Sequence, residues 1–152
     1  MISNTIKILT RTRENIQKLV SARSLDQLTK VPEGFNNNLL WNYGHVLVTQ
    51  QLLCYKLSGN ELSLEDDIVN RYRKGTFPDH TDAAAELELF NQLCLAQVKQ
   101  LEEDISNDLF KGYKPYQTSF GIELASIDDA LLFNNSHEAM HLGSMLMIRK
   151  FV

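Results

Sequence analysis

Apolar residues recur every three or four positions over four long stretches of the chain, the period of helices that bury one face. The first stretch predicts a helix from about Asn4 to Ala22, with Ile6, Leu9, Ile16, Leu19 and Val20 on one side and Lys7, Arg11, Glu14 and Lys18 on others. The second, from about Asn37 to Leu57, is apolar through Leu39, Leu40, Tyr43, Val46, Leu47, Leu53, Cys54 and Leu57. It stops at Ser58 and Gly59, where a glycine accepts the left-handed conformation that ends helices. Thr81 and Asp82 open the third, whose seam is Leu87, Phe90, Cys94, Val98, Leu101 and Ile105. The stretch Ser126-Ile-Asp-Asp129 has the spacing of a helix cap and starts the last helix, which continues to about Lys150.

The breaks agree with this division. Proline occurs only at Pro32, Pro78 and Pro115, each between periodic segments. Ser24 to Gln27 and Ser63 to Asp66 both have capping-box spacing, the first predicting a short turn of helix and the second a short helix that gives way to a loop through His80. Residues 113–124, YKPYQTSFGIEL, read as partly extended. The expected fold class is all-α, a four-helix bundle with a long crossover connection. A chain of 152 residues, 43% of them hydrophobic, has material for one core, so a single domain over 1–152 is expected.

Charge and cysteine usage narrow the function classes. The net charge of −4 comes from residues scattered along the chain, and no basic run tracks a phosphate backbone, so nucleic acid is not an expected partner. The opening MISNTIKILTRTRENIQ is interrupted by charges every few residues, which fits neither a signal peptide nor a membrane span. A cytoplasmic protein is the resulting expectation. Cys54 and Cys94 lie on different predicted helices and read as buried free thiols.

The candidate chemistry lies in the histidines. His137 and His141 are four residues apart, so they stand one turn from each other on one face of the last helix and can present nitrogens to one ion. Spacing alone leaves a structural pair equally open. Asn134 and Ser144 extend the two into a polar stripe, while Ile127, Leu131, Met145 and Ile148 form the adjoining apolar face. His45 taken alone reads as a hydrogen-bonded core residue, but Asn38, Trp41 and Thr49 surround it at helical spacing, and Gly44 permits a close helix approach. Three neutral imidazoles from two facing helices would suit Zn²⁺ or Ni²⁺ with positions left open. His80, after Phe77-Pro78-Asp79, is a spare candidate that reads as a solvated loop residue.

The last helix also contains His-Glu-x-x-His, the pattern of zincin metalloproteases. The longer form of that motif needs a glycine and a third histidine where this chain has Ser144 and Met147, and only Phe151 and Val152 follow Lys150. No strand is predicted to align a peptide substrate. Glu138 therefore reads as a structural residue or one supporting the ligands, and a protease is not expected.

Two segments carry a family resemblance. NNLLWNYGHVLVTQQLLCYKLSG resembles the Trp-x-x-Gly-His helix of the DinB-like superfamily, and FNNSHEAMHLGSMLMIRK resembles its C-terminal His-x-x-x-His-x-Gly helix. The resemblance covers nearly the whole chain. It implies a four-helix bundle with a long crossover, often a homodimer, with a metal triad at His45, His137 and His141 holding Zn²⁺ or Ni²⁺. It also implies a small-molecule substrate, since better-understood relatives transfer low-molecular-weight thiols such as bacillithiol or use mycothiol or glutathione in an isomerisation. A divalent ion lowers the pKa of a thiol or of a water, so S-transfer and hydrolysis both remain open, with no catalytic side chain assigned. A non-catalytic metal module closed by a fourth ligand such as Glu138, and a dimeric interaction domain without metal, are the readings from other classes.

Overall fold

A computed structural model of the chain describes residues 2–152. Its long helices are α1 (Ile2–Ser21), α3 (Leu39–Gln50), α5 (Ala83–Ser106) and α6 (Ile127–Ile148), with the short α2 (Leu25–Thr29) and α4 (Asp66–Tyr72) between them. Both α1 and α3 pack against α5 and against α6, so each long helix has two neighbours and faces the fourth across the bundle. The crossover is thus made twice, by residues 22–38 with α2 and by residues 107–126 with a two-stranded antiparallel hairpin. In that hairpin β1 (Tyr116–Gln117) pairs with β2 (Glu123–Leu124), so the stretch expected to be partly extended is a minimal sheet in an otherwise helical fold.

Helix ends follow local chemistry. Ser24 and Gln27 form the reciprocal box that starts α2, Asp82 accepts from the Ala85 N–H at the head of α5, and Ser126 accepts from the Asp129 N–H at the head of α6. The box expected at Ser63 does not form. Glu65 is the residue at the α4 boundary, without a side-chain cap, and the Ser63 N–H is drawn instead to Gln51 Oε1 at 2.9 Å. The helix expected to run unbroken to Leu57 continues α3 through a π-type turn at Gln51–Tyr55 and a tighter turn at Lys56–Ser58. Gly59, with φ of 76°, then reverses the chain.

The core has two halves. One is built around Leu39, Leu40, Tyr43, Leu47, Tyr72 and Phe90, the other around Leu9, Cys54, Leu101, Phe110, Leu124 and Leu131. Cys54 and Cys94 are free and buried, as the sequence suggests, and burial pushes the Cys54 thiol up to about 12. Among the described residues no helix is long and apolar enough to cross a membrane. Gly44 serves the close approach expected of it: a Cβ there would lie 2.4 Å from Tyr72 Cδ1 and 2.7 Å from Phe90 Cζ. Its bare backbone lets α4 and α5 come down on α3 beside His45.

Candidate metal centre

Helix α3 starts at Asn38, whose side chain accepts from the Trp41 N–H at 2.8 Å, and residues 39–48 are then all buried. One turn after Trp41 comes His45, and the two rings stack with centroids 4.6 Å apart. His45 Nδ1 lies 2.7 Å from the Tyr72 carbonyl oxygen, where α4 ends. A carbonyl only accepts, so Nδ1 carries the hydrogen and Nε2 is left with a free lone pair.

Helix α6 supplies the other two histidines. His141 Nδ1 lies 2.8 Å from Asn42 Oδ1. The Asn42 amide nitrogen donates to the Asn38 carbonyl at 2.7 Å and to Asn37 Oδ1 at 2.9 Å, which fixes the amide orientation and makes Oδ1 the acceptor. His141 therefore also presents a bare Nε2. His137 Nε2 stands 3.2 Å from His45 Nε2, while its buried Nδ1 has no hydrogen-bond partner. Nothing on the far side of that ring fixes its tautomer. The three ligand atoms lie within 4.8 Å of one another, so His45, His137 and His141 are positioned to bind a metal ion. One shared proton satisfies a single contact in this group, whereas a divalent cation accepts all three lone pairs at once, and the donor set suits it.

The protonation states agree with that arrangement. Burial holds His137 down to about 2, helped by the positive charge that His141, His45 and Arg13 would place beside it. Burial and His45 hold His141 at about 3, and burial lowers His45 against a smaller opposing effect of the Tyr72 carbonyl. All three are neutral near pH 7, the form that ligates metals. They stand in the wall of a cavity of about 760 Å³, with Trp41, Thr49, Phe133 and Met140 beside them. The Thr49 hydroxyl lies 3.4 Å from His45 Nε2.

Glu138 follows His137 directly but does not line the cavity. Its Oε2 receives Arg13 Nε at 2.5 Å, and its Oε1 receives Arg13 Nη2 at 2.7 Å and the Asn134 amide at 2.8 Å. Arg13 donates further to the Cys94 carbonyl at 3.1 Å and to Gln50 Oε1 at 3.0 Å. Both charged side chains are fully buried. Neither the base of a zincin nor the fourth ligand of a closed site is available from a carboxylate bound in this way.

The expected polar stripe of α6 divides. Asn134 belongs to the Arg13 and Glu138 cluster, and Ser144 is exposed and donates to its own helix at Met140. His80 is not the solvated residue it reads as. Its Nδ1 faces the Tyr72 hydroxyl at 3.1 Å and Glu86 Oε2 at 3.0 Å, and its Nε2 lies 2.9 Å from the Asn38 amide nitrogen. It ties the start of α3 to α4 and α5, outside the triad.

Sequence reasoning missed Arg13, Asn42 and the Tyr72 carbonyl. Arg13 carried a usable signal, because it falls four residues after Leu9 and three before Ile16, on the apolar seam of α1. Glu138 holds the matching position on α6, between the buried Asn134 and His141. Two opposite charges on the buried seams of the first and last helices are the pattern of an internal ion pair. A backbone carbonyl from a separate short helix leaves no such mark.

No curated protein matches the sequence. The crystal structure of a conserved protein from Enterococcus faecalis is similar over 100% of this chain and 96% of its own, with a TM-score of 0.68 and 14% sequence identity, a likeness of fold. The family model of the DinB superfamily matches residues 8–145, which include His45, His137 and His141. The chain belongs to the DinB superfamily.

Proposed function

We propose that this chain is a metal-dependent enzyme in which His45, His137 and His141 hold Zn²⁺ or Ni²⁺ and a low-molecular-weight thiol is transferred to a small electrophile. The carrying observation is the convergence of three neutral imidazoles on one wall of a cavity of about 760 Å³, two of them with Nδ1 held by Tyr72 and Asn42. The metal association of the DinB superfamily supports the same reading. When bound, the ion supplies a positive charge that lowers the pKa of a coordinated thiol, ordinarily about 8.5, toward neutrality.

The chain's own residues do the rest. Tyr72 and Asn42 orient two of the ligands, and the Thr49 hydroxyl offers a hydrogen bond to a group seated beside His45. Leu52, Leu53, Val69 and Phe133 give the electrophile an apolar wall. In the transfer the sulfur forms a bond to the electrophilic carbon, the leaving group departs with the electron pair of the broken bond, and the thiol proton goes to solvent. The choice of thiol over water rests on what lines the cavity. No Asp or Glu is among the lining residues, so a hydrolysis would lack a carboxylate base for its water, whereas a thiol needs little help to ionise.

The test is conjugation of bacillithiol, glutathione or cysteine to monochlorobimane by metal-loaded protein, metal-stripped protein and His141→Ala. A rate above background that disappears in the last two is expected. Equal rates in all three would remove thiol transfer and put hydrolysis or a non-catalytic role ahead of it.

A further inference from the structure

The mouth of the same cavity has a charge pattern unlike that of the chain. Asp and Glu outnumber Lys and Arg by 19 to 15 overall, yet Lys56, Arg73 and Lys74 line the cavity with no carboxylate among the lining residues. None of these three has an ion-pair partner among the described residues, which is true of most of the chain's Lys and Arg; what sets these three apart is that they line one cavity. Three cations left unpaired around a concave mouth repel one another and create a positive potential there, which a small anion relieves.

The backbone that carries Arg73 and Lys74 is also fastened relative to the histidines. Arg73 directly follows Tyr72, whose carbonyl receives His45 Nδ1 at 2.7 Å. Thr76 closes the turn with its hydroxyl oxygen 2.8 Å from the carbonyl oxygens of both Arg71 and Arg73, which share its one hydrogen, and it accepts from Trp41 Nε1 at 3.1 Å. Gly75, at φ of 89°, permits that turn. The segment carrying Arg73 and Lys74 is thereby fastened at two points to the α3 turn that bears Trp41 and His45. Lys56 comes from the tight turn ending the same helix.

We propose that Lys56, Arg73 and Lys74 form an anion subsite, so that the substrate is a small molecule with a carboxylate or phosphate at one end and its metal-seeking group at the other. This rests on the reading of the cavity as the substrate site and adds the chemical class of what enters it. The Arg73 guanidinium suits two oxygens of such a group in parallel, and the lysines add charge without fixed geometry.

The chain's one tryptophan, Trp41, lines the cavity and stacks on His45, so its fluorescence reports occupancy. The metal-loaded protein is titrated with succinate, with its neutral diamide succinamide and with inorganic phosphate. Succinate or phosphate should change the emission saturably, at least about ten-fold more tightly than succinamide, and more weakly as salt rises. Which of the two anions binds better distinguishes a carboxylate from a phosphate substrate. The variant R73E/K74E should lose this preference by about ten-fold or more while keeping its metal content, and Lys56→Gln should lose part of it. Succinate binding that survives R73E/K74E unchanged is coordination at the metal alone and overturns the subsite. So does equal binding of succinate and succinamide, or no response to either anion. The probes carry no thiol, so failure here leaves thiol transfer to the conjugation assay, and a failed conjugation assay leaves the anion subsite standing.

Discussion

His137 and Glu138 are consecutive residues of α6 and belong to two polar clusters built on opposite terms. Glu138 faces Arg13 on α1, and their charges meet inside the bundle at 2.5 and 2.7 Å, with Asn134 and the Cys94 carbonyl taking up further hydrogen-bonding groups. His137 faces His45 and His141 at the cavity, where three similar groups meet and no opposite charge is supplied from within the fold. In the first cluster the two charges answer each other without a ligand, and only the neutral Gln50 Nε2 and Asn134 Oδ1 at its edge lack a partner. The second gains a cation's worth of stabilisation only from outside. Buried polarity that closes on itself fastens helices, and buried polarity that converges on a cavity is available for binding.

The largest effect is expected from removing one charge of the Arg13 and Glu138 pair. Arg13→Ala leaves the Glu138 carboxylate buried and unpaired, and it should lower stability by about 3–5 kcal/mol in urea unfolding. Replacing both partners, as in Arg13→Met with Glu138→Leu, should recover much of that loss, because no uncompensated charge remains. If Arg13→Ala unfolds at the same urea concentration as wild type, the pair is not what joins α1 to α6.

A smaller loss is expected where the two regions share a support. Gly44→Ala would drive a methyl into the rings of Tyr72 and Phe90, and overpacking of this kind costs about 1–3 kcal/mol. Displacing Tyr72 also moves the carbonyl that orients His45, so the metal should be held more weakly in the same variant. Unchanged metal affinity alongside lowered stability would show that the Tyr72 carbonyl matters less to the site than the Asn42 amide.

Asn42 separates the regions cleanly, since its side chain hydrogen-bonds within the triad and the start of α3 and not to Arg13 or Glu138. Asn42→Ala should weaken metal binding by about 10–100-fold, read by competition with a chelator of known affinity. Its urea midpoint should move far less than that of Arg13→Ala. A normal metal affinity in Asn42→Ala would mean that His141 keeps its orientation without the amide.

The same contrast explains what could be read from the chain beforehand. The four long helices and the pairing of His137 with His141 follow from a period of three to four residues, a local regularity that survives without knowledge of the fold. His45 enters through its polar neighbours and its glycine. A long crossover is expected from the sequence, but its occurrence twice, the π-type turn at Gln51–Tyr55 and the partly buried place of His80 depend on contacts between distant segments, which no local pattern encodes. Ser144 misleads for the same reason: helical spacing places it in line with the histidines, but the bundle neighbours that decide burial leave its position exposed. Arg13 lies between these cases, visible as a charge on an apolar seam, with its partner 125 residues away.

The smallest expected effect concerns acid. In the metal-free protein His137 and His141 are held at about 2 and about 3 by burial, well below the ordinary value near 6.5 of an unfolded histidine. The unfolded chain therefore takes up protons first as pH falls. The stability tied to these neutral rings is fully present above about pH 6.5 and is lost progressively down toward the folded values. From about pH 7 to about pH 6 the loss is roughly 0.7 kcal/mol per histidine, steepening below that. Urea midpoints of metal-free wild type should fall over this range, and His137→Gln with His141→Gln should flatten the profile. The metal-loaded protein should fall more steeply, because protons then compete with the ion for the same three lone pairs. If the double variant titrates like wild type, His137 and His141 are not the acid-sensitive groups.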